Sequence, residues 1–209
     1  MYINTLFNTL SKCVKKGKAM EKTEDRRVRK TKKLLREGLA KLMKEKPIKN
    51  ITVRELSELV DINRGTFYLH YKDIYDMVDC IQNELFEEFN TIIKAHETES
   101  TNEALFPMLV DIFEHLSANA DMVQALIGKN GSAIFVDRLK NVVKERCLAN
   151  MYTALKSDKT MKFKYFYFFV VSGCIGIFQE WLDGGMKETP KEMAYVVENM
   201  ILKGYNSLK

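Results

Sequence analysis

Residues 52–71 read TVRELSELVDINRGTFYLHY, and the spacing of their apolar positions predicts two short helices meeting at a tight turn. Leu56, Leu59 and Val60 share one face of a helix over Val53–Val60, Ile62 plugs the corner, and Phe67 and Tyr71 give the following helix, Arg64–His70, its own apolar side. Thr52 stands where a helix N-cap belongs, with Glu55 at the third position of a capping box. Two helices crossing steeply over a short turn need a small side chain where their backbones approach, and Ser57 supplies one. Asp61 is among the few non-glycine residues that tolerate a left-handed turn conformation. Asn63 then caps the next helix. Its outer face is left with Arg64, Gly65, Thr66, Tyr68 and His70, short or hydrogen-bonding groups, with Gly65 permitting close approach to a phosphate or a base edge. Such a face fits a DNA major groove.

Helical spacing continues on both sides. Upstream, Arg26–Lys46 places Val28, Leu35, Leu39, Leu42 and Met43 on one face and basic residues over the rest, and Pro47 ends it. Downstream, Asp73 caps a long helix with Asp76 in its first turn, and Met77, Ile81, Leu85, Phe89 and Ile92 mark its buried stripe until the polar run from His96 to Glu103. Helices follow near residues 104–118, 120–127 and 132–156, with Pro107 kinking the first or marking its start and Gly128 and Gly131 separating the second from the third. The last two lie near Lys162–Gly184, apolar nearly all round, and after Thr189-Pro190-Lys191-Glu192, a capping box with proline at the first helical position. The expected fold class is all-α, with about nine helices. A three-helix head over residues 20–72 precedes a larger regulatory and dimerisation bundle over 73–209, and residues 1–19 carry no assigned function.

Composition bounds the functions open to such a chain. At 209 residues with 46% hydrophobic content it can bury a sizeable core. The net charge of +5 conceals a polarity: residues 1–72 hold 19 Lys/Arg against 8 Asp/Glu, and the remainder 14 against 20. A basic first third on an acidic remainder points to a polyanionic partner at one end. Cys13, Cys80, Cys147 and Cys174 form no CxxC pair and do not cluster with histidine, so small thiols in a reducing, cytoplasmic setting are expected, with no metal and no cofactor. The long uncharged stretch from Tyr165 to Phe178 is broken by Ser172, Gly173 and Gly176 and is too short for a membrane span. Residues 1–19 lack the basic start and small-residue cleavage site of an export signal. An enzyme is disfavoured: His70, His96 and His115 fall on different elements, and HExxH, P-loop and GxSxG patterns are missing.

From Arg27 through Asp79 the chain resembles the DNA-binding domain of the TetR family of bacterial transcription regulators. The resemblance rests on a basic first helix, on Ile51-Thr52-Val53 with Glu55-Leu56, and on the run from Gly65 through Asp73, GTFYLHYKD. Trp181-Leu182-Asp183-Gly184-Gly185-Met186-Lys187 before Thr189-Pro190 is similar to C-terminal domains of members common in Firmicutes. The resemblance implies that Thr52 offers its hydroxyl and the following amides to a phosphate, that Arg64 and Thr66 face bases, and that Tyr68, His70 and Lys72 hold the flanking backbone. The full DNA-contacting set is then Thr52, Arg64, Gly65, Thr66, Tyr68, His70, Tyr71 and Lys72. Two departures stand out: Ile74 replaces a lysine frequent at the start of the fourth helix, and Asp61 replaces the usual turn glycine.

A helix as apolar as Phe163–Leu182 needs cover on more than one side, which predicts a homodimer built through Phe169, Ser172, Gly173, Gly176, Ile177 and Trp181 with Val197 and Ile201 of the last helix. The resemblance also implies a small apolar ligand among the middle helices. Phe106, Met108, Phe113, Met122, Tyr152 and Tyr167 are its pocket candidates, although residues of these types at helical spacing equally form plain core. The expected function is a sequence-specific regulator of a palindromic double-stranded operator, a repressor released by ligand. The alternative keeps the DNA-binding head but has the acidic C-terminal part dock a partner protein, as a coactivator.

Overall fold

The computed structural model describes residues 26–96, 105–132, 134–141 and 161–206, and among these every regular element is helical. In chain order they are α1 (Arg26–Glu45), a 3-10 turn at Ile48–Asn50, α2 (Val53–Leu59), α3 (Arg64–Tyr68), α4 (Ile74–Ala95), α5 (Leu105–Ala118), α6 (Ala120–Ile127), α7 (134–141), α8 (Met161–Asp183) and α9 (Pro190–Asn206). The expected helix over 132–156 is described only in its first part, so Tyr152 lies outside the described residues, as do residues 1–19.

The head is built as the spacing requires, with one addition. Leu35, Leu39 and Leu56 are fully buried. Ser57 is 2% exposed, its hydroxyl without a protein partner, which fits selection for size rather than polarity. The closest approach, however, is made by Gly38 of α1: a Cβ there would lie 2.3 Å from Val60 Cγ1 and 3.0 Å from Leu56 Cδ1. The α2 terminus is a Schellman turn, with Ile62 N–H donating to the Ser57 carbonyl at 2.9 Å and Asp61 N–H to Glu58 at 3.4 Å. Asp61 takes φ 53° there, the conformation that glycine otherwise supplies.

One continuous core runs from Leu35 in α1 to Val197 in α9. Head and bundle are joined by α1 lying along α6, with Lys44 Nζ 2.7 Å from Asp121 Oδ1, and by an Arg36–Glu84 ion pair to α4. α9 packs along α5, and α5 along α4. In α4 the buried stripe ends on Ile93, not on the expected Ile92, because Met77, Ile81, Leu85, Phe89 and Ile93 step by four residues, more than one 3.6-residue turn, and the stripe winds slowly around the helix. Pro107 sits in the first turn of α5, marking its start. By length and apolar content Tyr165–Asp183 would suffice to cross a membrane, but Phe166, Val171, Phe178, Trp181 and Leu182 on it are buried inside the protein.

Gly38→Ala is expected to lower stability by about 1–3 kcal/mol through overpacking against the stiff Val60 side chain. That exceeds the gain in helix propensity, roughly 1 kcal/mol. A urea midpoint at or above the wild-type value would contradict the close crossing.

Candidate nucleic-acid interface

α3 is only five residues long, and each end is held from outside its own hydrogen-bond ladder. At its start the Asn63 Oδ1 accepts from Gly65 N–H at 2.7 Å. At its end His70 and Tyr71 N–H both donate to the Phe67 carbonyl, at 2.9 and 3.0 Å, so the helix closes at Tyr68, earlier than the spacing suggested. Phe67 is 0% exposed and stacks at 5.7 Å from the Tyr71 ring, which fixes which side of α3 faces away from the core.

On that side Arg64, Gly65 and Tyr68 are exposed, Tyr68 at 58%, and Thr66 and His70 are half-buried. Tyr71 is a correction: at 7% exposure its ring is core, buried with Phe67, and leaves at most an edge for a partner. Leu69, passed over by the sequence reading, is the most exposed large apolar side chain here, at 80%. Its only sequence signal was an apolar residue out of phase with Phe67 and Tyr71.

Neighbouring elements place the remaining candidates. Thr52 is exposed at the start of α2, its hydroxyl accepting from Glu55 N–H at 3.2 Å. The expected capping box is only half realised, because the Glu55 carboxylate is paired with Lys46. Lys72 is exposed, with its backbone N–H donating to Asp76 Oδ2 at 2.9 Å, while Asp73 Oδ1 accepts from Asp76 N–H at 2.8 Å. Carboxylates thus occupy the N-terminus of α4, so a cation in this region must come from the Lys72 side chain. Asp79, one turn on, has its carboxyl pushed up from the ordinary range by burial first and by Asp76 second, with Arg138 opposing. Along α1, Arg26, Arg27, Arg29, Lys30 and Lys33 are exposed, so the head is basic on α1 and acidic where α4 begins.

Two features of the bundle bear on function. A cavity of about 190 Å³ opens among α4–α9, its walls almost wholly apolar. Of the pocket candidates, Met108, Phe113 and Tyr167 line it. Phe106 and Met122 do not, and Met122 is instead packed at 3% exposure. His115, Cys174, Ile201 and Val197 also line it, which the sequence reading had not assigned to a pocket.

The second feature, among the described residues, is a set of exposed apolar side chains on α8 and α9. Tyr165, Phe169, Tyr195 and Met200 are 62, 70, 61 and 56% exposed, and a Cβ on Gly173 or Gly176 would meet nothing within 4 Å. Phe169, Ser172 and Gly176 lie among them, and Gly173 and Ile177 at their half-buried edge. Trp181 and Val197 are corrections, at 4 and 1% exposure inside the subunit. Trp181 packs edge-on against Phe113 at 5.4 Å and donates from Nε1 to the Glu188 carbonyl at 3.0 Å. Ile201 is half-buried against the cavity.

Residues 103–203 match a TetR-type family described as the transcriptional regulator C-terminal region. An uncharacterized HTH-type transcriptional regulator of Bacillus subtilis, YxbF, is 30% identical over 91 residues, which is 40% of this chain and 24% of that one, so the match spans about a quarter of the relative's length. Among solved structures, a TetR transcriptional regulator from Streptococcus agalactiae aligns with TM-score 0.54 and 22% identity over 85% of this chain and 96% of its own. The regulator FadR from Bacillus subtilis, in complex with stearoyl-CoA, aligns with TM-score 0.56 and 13% identity over 82 and 97%.

Asn63→Ala removes the one side chain that caps α3 and is expected to cost about 1 kcal/mol. The loss is read as a lower denaturation midpoint, together with faster amide exchange at Gly65 than in the wild type.

Proposed function

The chain belongs to the TetR family of transcriptional regulators, and we propose that it is a homodimeric, sequence-specific DNA-binding repressor released by a small molecule. The observation that carries this reading is the outward presentation of Arg64, Gly65 and Tyr68 on a helix pinned from behind by Phe67, in the basic part of the chain. Arg64 and Thr66 read base edges, and Arg64 suits the bidentate guanine contact. Thr52, Gly65, Tyr68, His70 and Lys72 hold phosphates and set the register of α3 in the groove. Residues 20–72 act as the DNA-binding head and 73–209 as the regulatory and dimerisation part.

Dimerisation is proposed through the α8 and α9 face that carries Phe169, Ser172, Gly176, Tyr195 and Met200. A soluble monomer rarely leaves so many large apolar side chains together in water, and the glycines let a second α8 approach closely. A two-fold pair of α3 helices then addresses half-sites one DNA turn apart, about 34 Å. The cavity among α4–α9 supports the ligand part of the reading, as does the stearoyl-CoA held by the Bacillus subtilis FadR of the same fold. Such a regulator works on DNA in the cytoplasm, with no catalytic step of its own.

Selection of bound duplexes from a random pool is expected to return a palindrome, and affinity for it is expected to fall with salt at a log-log slope of about 0.9 per neutralised phosphate. Arg64→Ala should cost about 1–3 kcal/mol on the selected site and relax its sequence preference, whereas Lys72→Ala should weaken all sequences alike. Equal losses on selected and random DNA for Arg64→Ala would remove it from the base-reading set. Phe169→Lys should give monomers in sedimentation and lose binding to the full palindrome, while dimers that persist would place the interface elsewhere.

A further inference from the structure

The cavity is specific about the chemistry it accepts. Among the described residues its lining includes no lysine or arginine, and two of the helices that wall it are poor in cations: α5 carries no lysine or arginine, and α4 sets Lys94 against Asp76, Asp79, Glu84, Glu87 and Glu88. A carboxylate or phosphate inside would be stripped of water with no lysine or arginine among these lining residues to pair with it, at a cost that apolar contact does not recover. Size is the second constraint. A cavity of roughly 150 Å³ lined by apolar side chains accommodates benzene, so about 190 Å³ suits about eight carbon atoms.

The polar groups of the lining are few, and they are differently placed. The Tyr167 hydroxyl donates to the Lys140 carbonyl at 3.0 Å. His115 has its Nδ1 3.1 Å from Glu88 Oε2, its side chain is 10% exposed, and the residue is part of the cavity lining. A carboxylate only accepts, so Nδ1 carries the proton in that contact. In the neutral ring Nε2 is then the acceptor.

We infer that the cavity binds an uncharged apolar molecule of about eight carbons carrying one hydroxyl, the hydroxyl donating to His115 Nε2 and the hydrocarbon filling the space between Phe89, Phe113 and Phe178. This rests on the small-molecule part of the function proposed above and names the ligand class for that site. It also sets the chain apart from a regulator of the same fold that holds an acyl-CoA, since a thioester acyl chain brings no hydroxyl to the histidine.

The protein supplies its own reporter. Trp181 is the only tryptophan, and it packs at 5.4 and 5.9 Å from Phe113 and Phe178, both on the cavity wall. Titration of the full chain is followed by Trp181 emission with four probes: 1-octanol, dibutyl ether, sodium octanoate and octanoyl-CoA. Dibutyl ether matches octanol in carbon count and charge but has no donor. A saturable change with 1-octanol is expected, about tenfold tighter than with dibutyl ether, the size of one net hydrogen bond. Octanoate and octanoyl-CoA should be weaker still. His115→Phe should bring octanol and ether within about twofold of each other while leaving the ether's affinity near wild type, which shows that the cavity is intact. The inference is overturned if octanoate or octanoyl-CoA binds more tightly than octanol, if octanol and ether bind the wild type alike, if His115→Phe keeps the preference, or if no probe binds. Saturable octanol binding that leaves operator affinity unchanged instead overturns release by ligand, and the cavity's chemistry stands.

Discussion

Burial of Phe67 is the constraint on which the rest depends. A five-residue helix has too few internal hydrogen bonds to offset its nucleation cost, so α3 exists only because Phe67 is fully buried beside Tyr71 and because Asn63 caps its start. With the ring of Phe67 facing inward, the direction of Arg64, Gly65 and Tyr68 is set by helical geometry alone. The platform that receives Phe67 needs α1 and α2 to cross closely, hence Gly38 against Val60 and Ser57 in place of anything larger. The tight return after α2 in turn needs a left-handed residue, which Asp61 accepts.

The head is not mechanically separate from the bundle. α4 begins two residues after Lys72 and carries Phe89 and Ile93 to the cavity wall, and α6 places Val123 and Ile127 on that wall while its other side lies along α1. A close-packed core transmits a volume change to its neighbours because it has few voids to absorb one. Arg138 adds a polar tie on the same path: its guanidinium lies 4.2 Å over the Phe86 ring and donates to Asn83 Oδ1 at 2.7 Å. Partial burial pulls its pKa below the ordinary arginine value.

The apolar circumference of α8 is divided among three surroundings. Phe166, Tyr167 and Phe178 face the cavity, Trp181 and Leu182 close the core near the α8–α9 turn, and Tyr165, Phe169 and Gly176 look outward. That turn is a second Schellman motif, with Met186 N–H donating to Trp181 at 2.8 Å and Gly185 at φ 82°. Immediately after it Glu192 accepts from the Thr189 N–H and hydroxyl, each at 2.8 Å, contacts that hold its carboxyl below the usual range.

Local chemistry was legible in the sequence. Helix positions follow from a 3.6-residue period, and the caps at Thr52, Asn63, Asp73 and Thr189 follow from side chains reaching backbone groups three or fewer residues away. The turn at Asp61 and the exposure of Arg64 and Tyr68 come from the same short-range rules. What only the tertiary structure decided were questions of which neighbour an apolar residue meets. Trp181 and Val197 read like an outer face and turned out to be core, Met122 read like a pocket wall and is packed, and His115, to which helical spacing gave no place, lines the cavity. A sequence period fixes the angle of a side chain about its own helix axis. Whether that angle points at another helix, at a void or at solvent depends on where distant segments lie, which no local rule encodes.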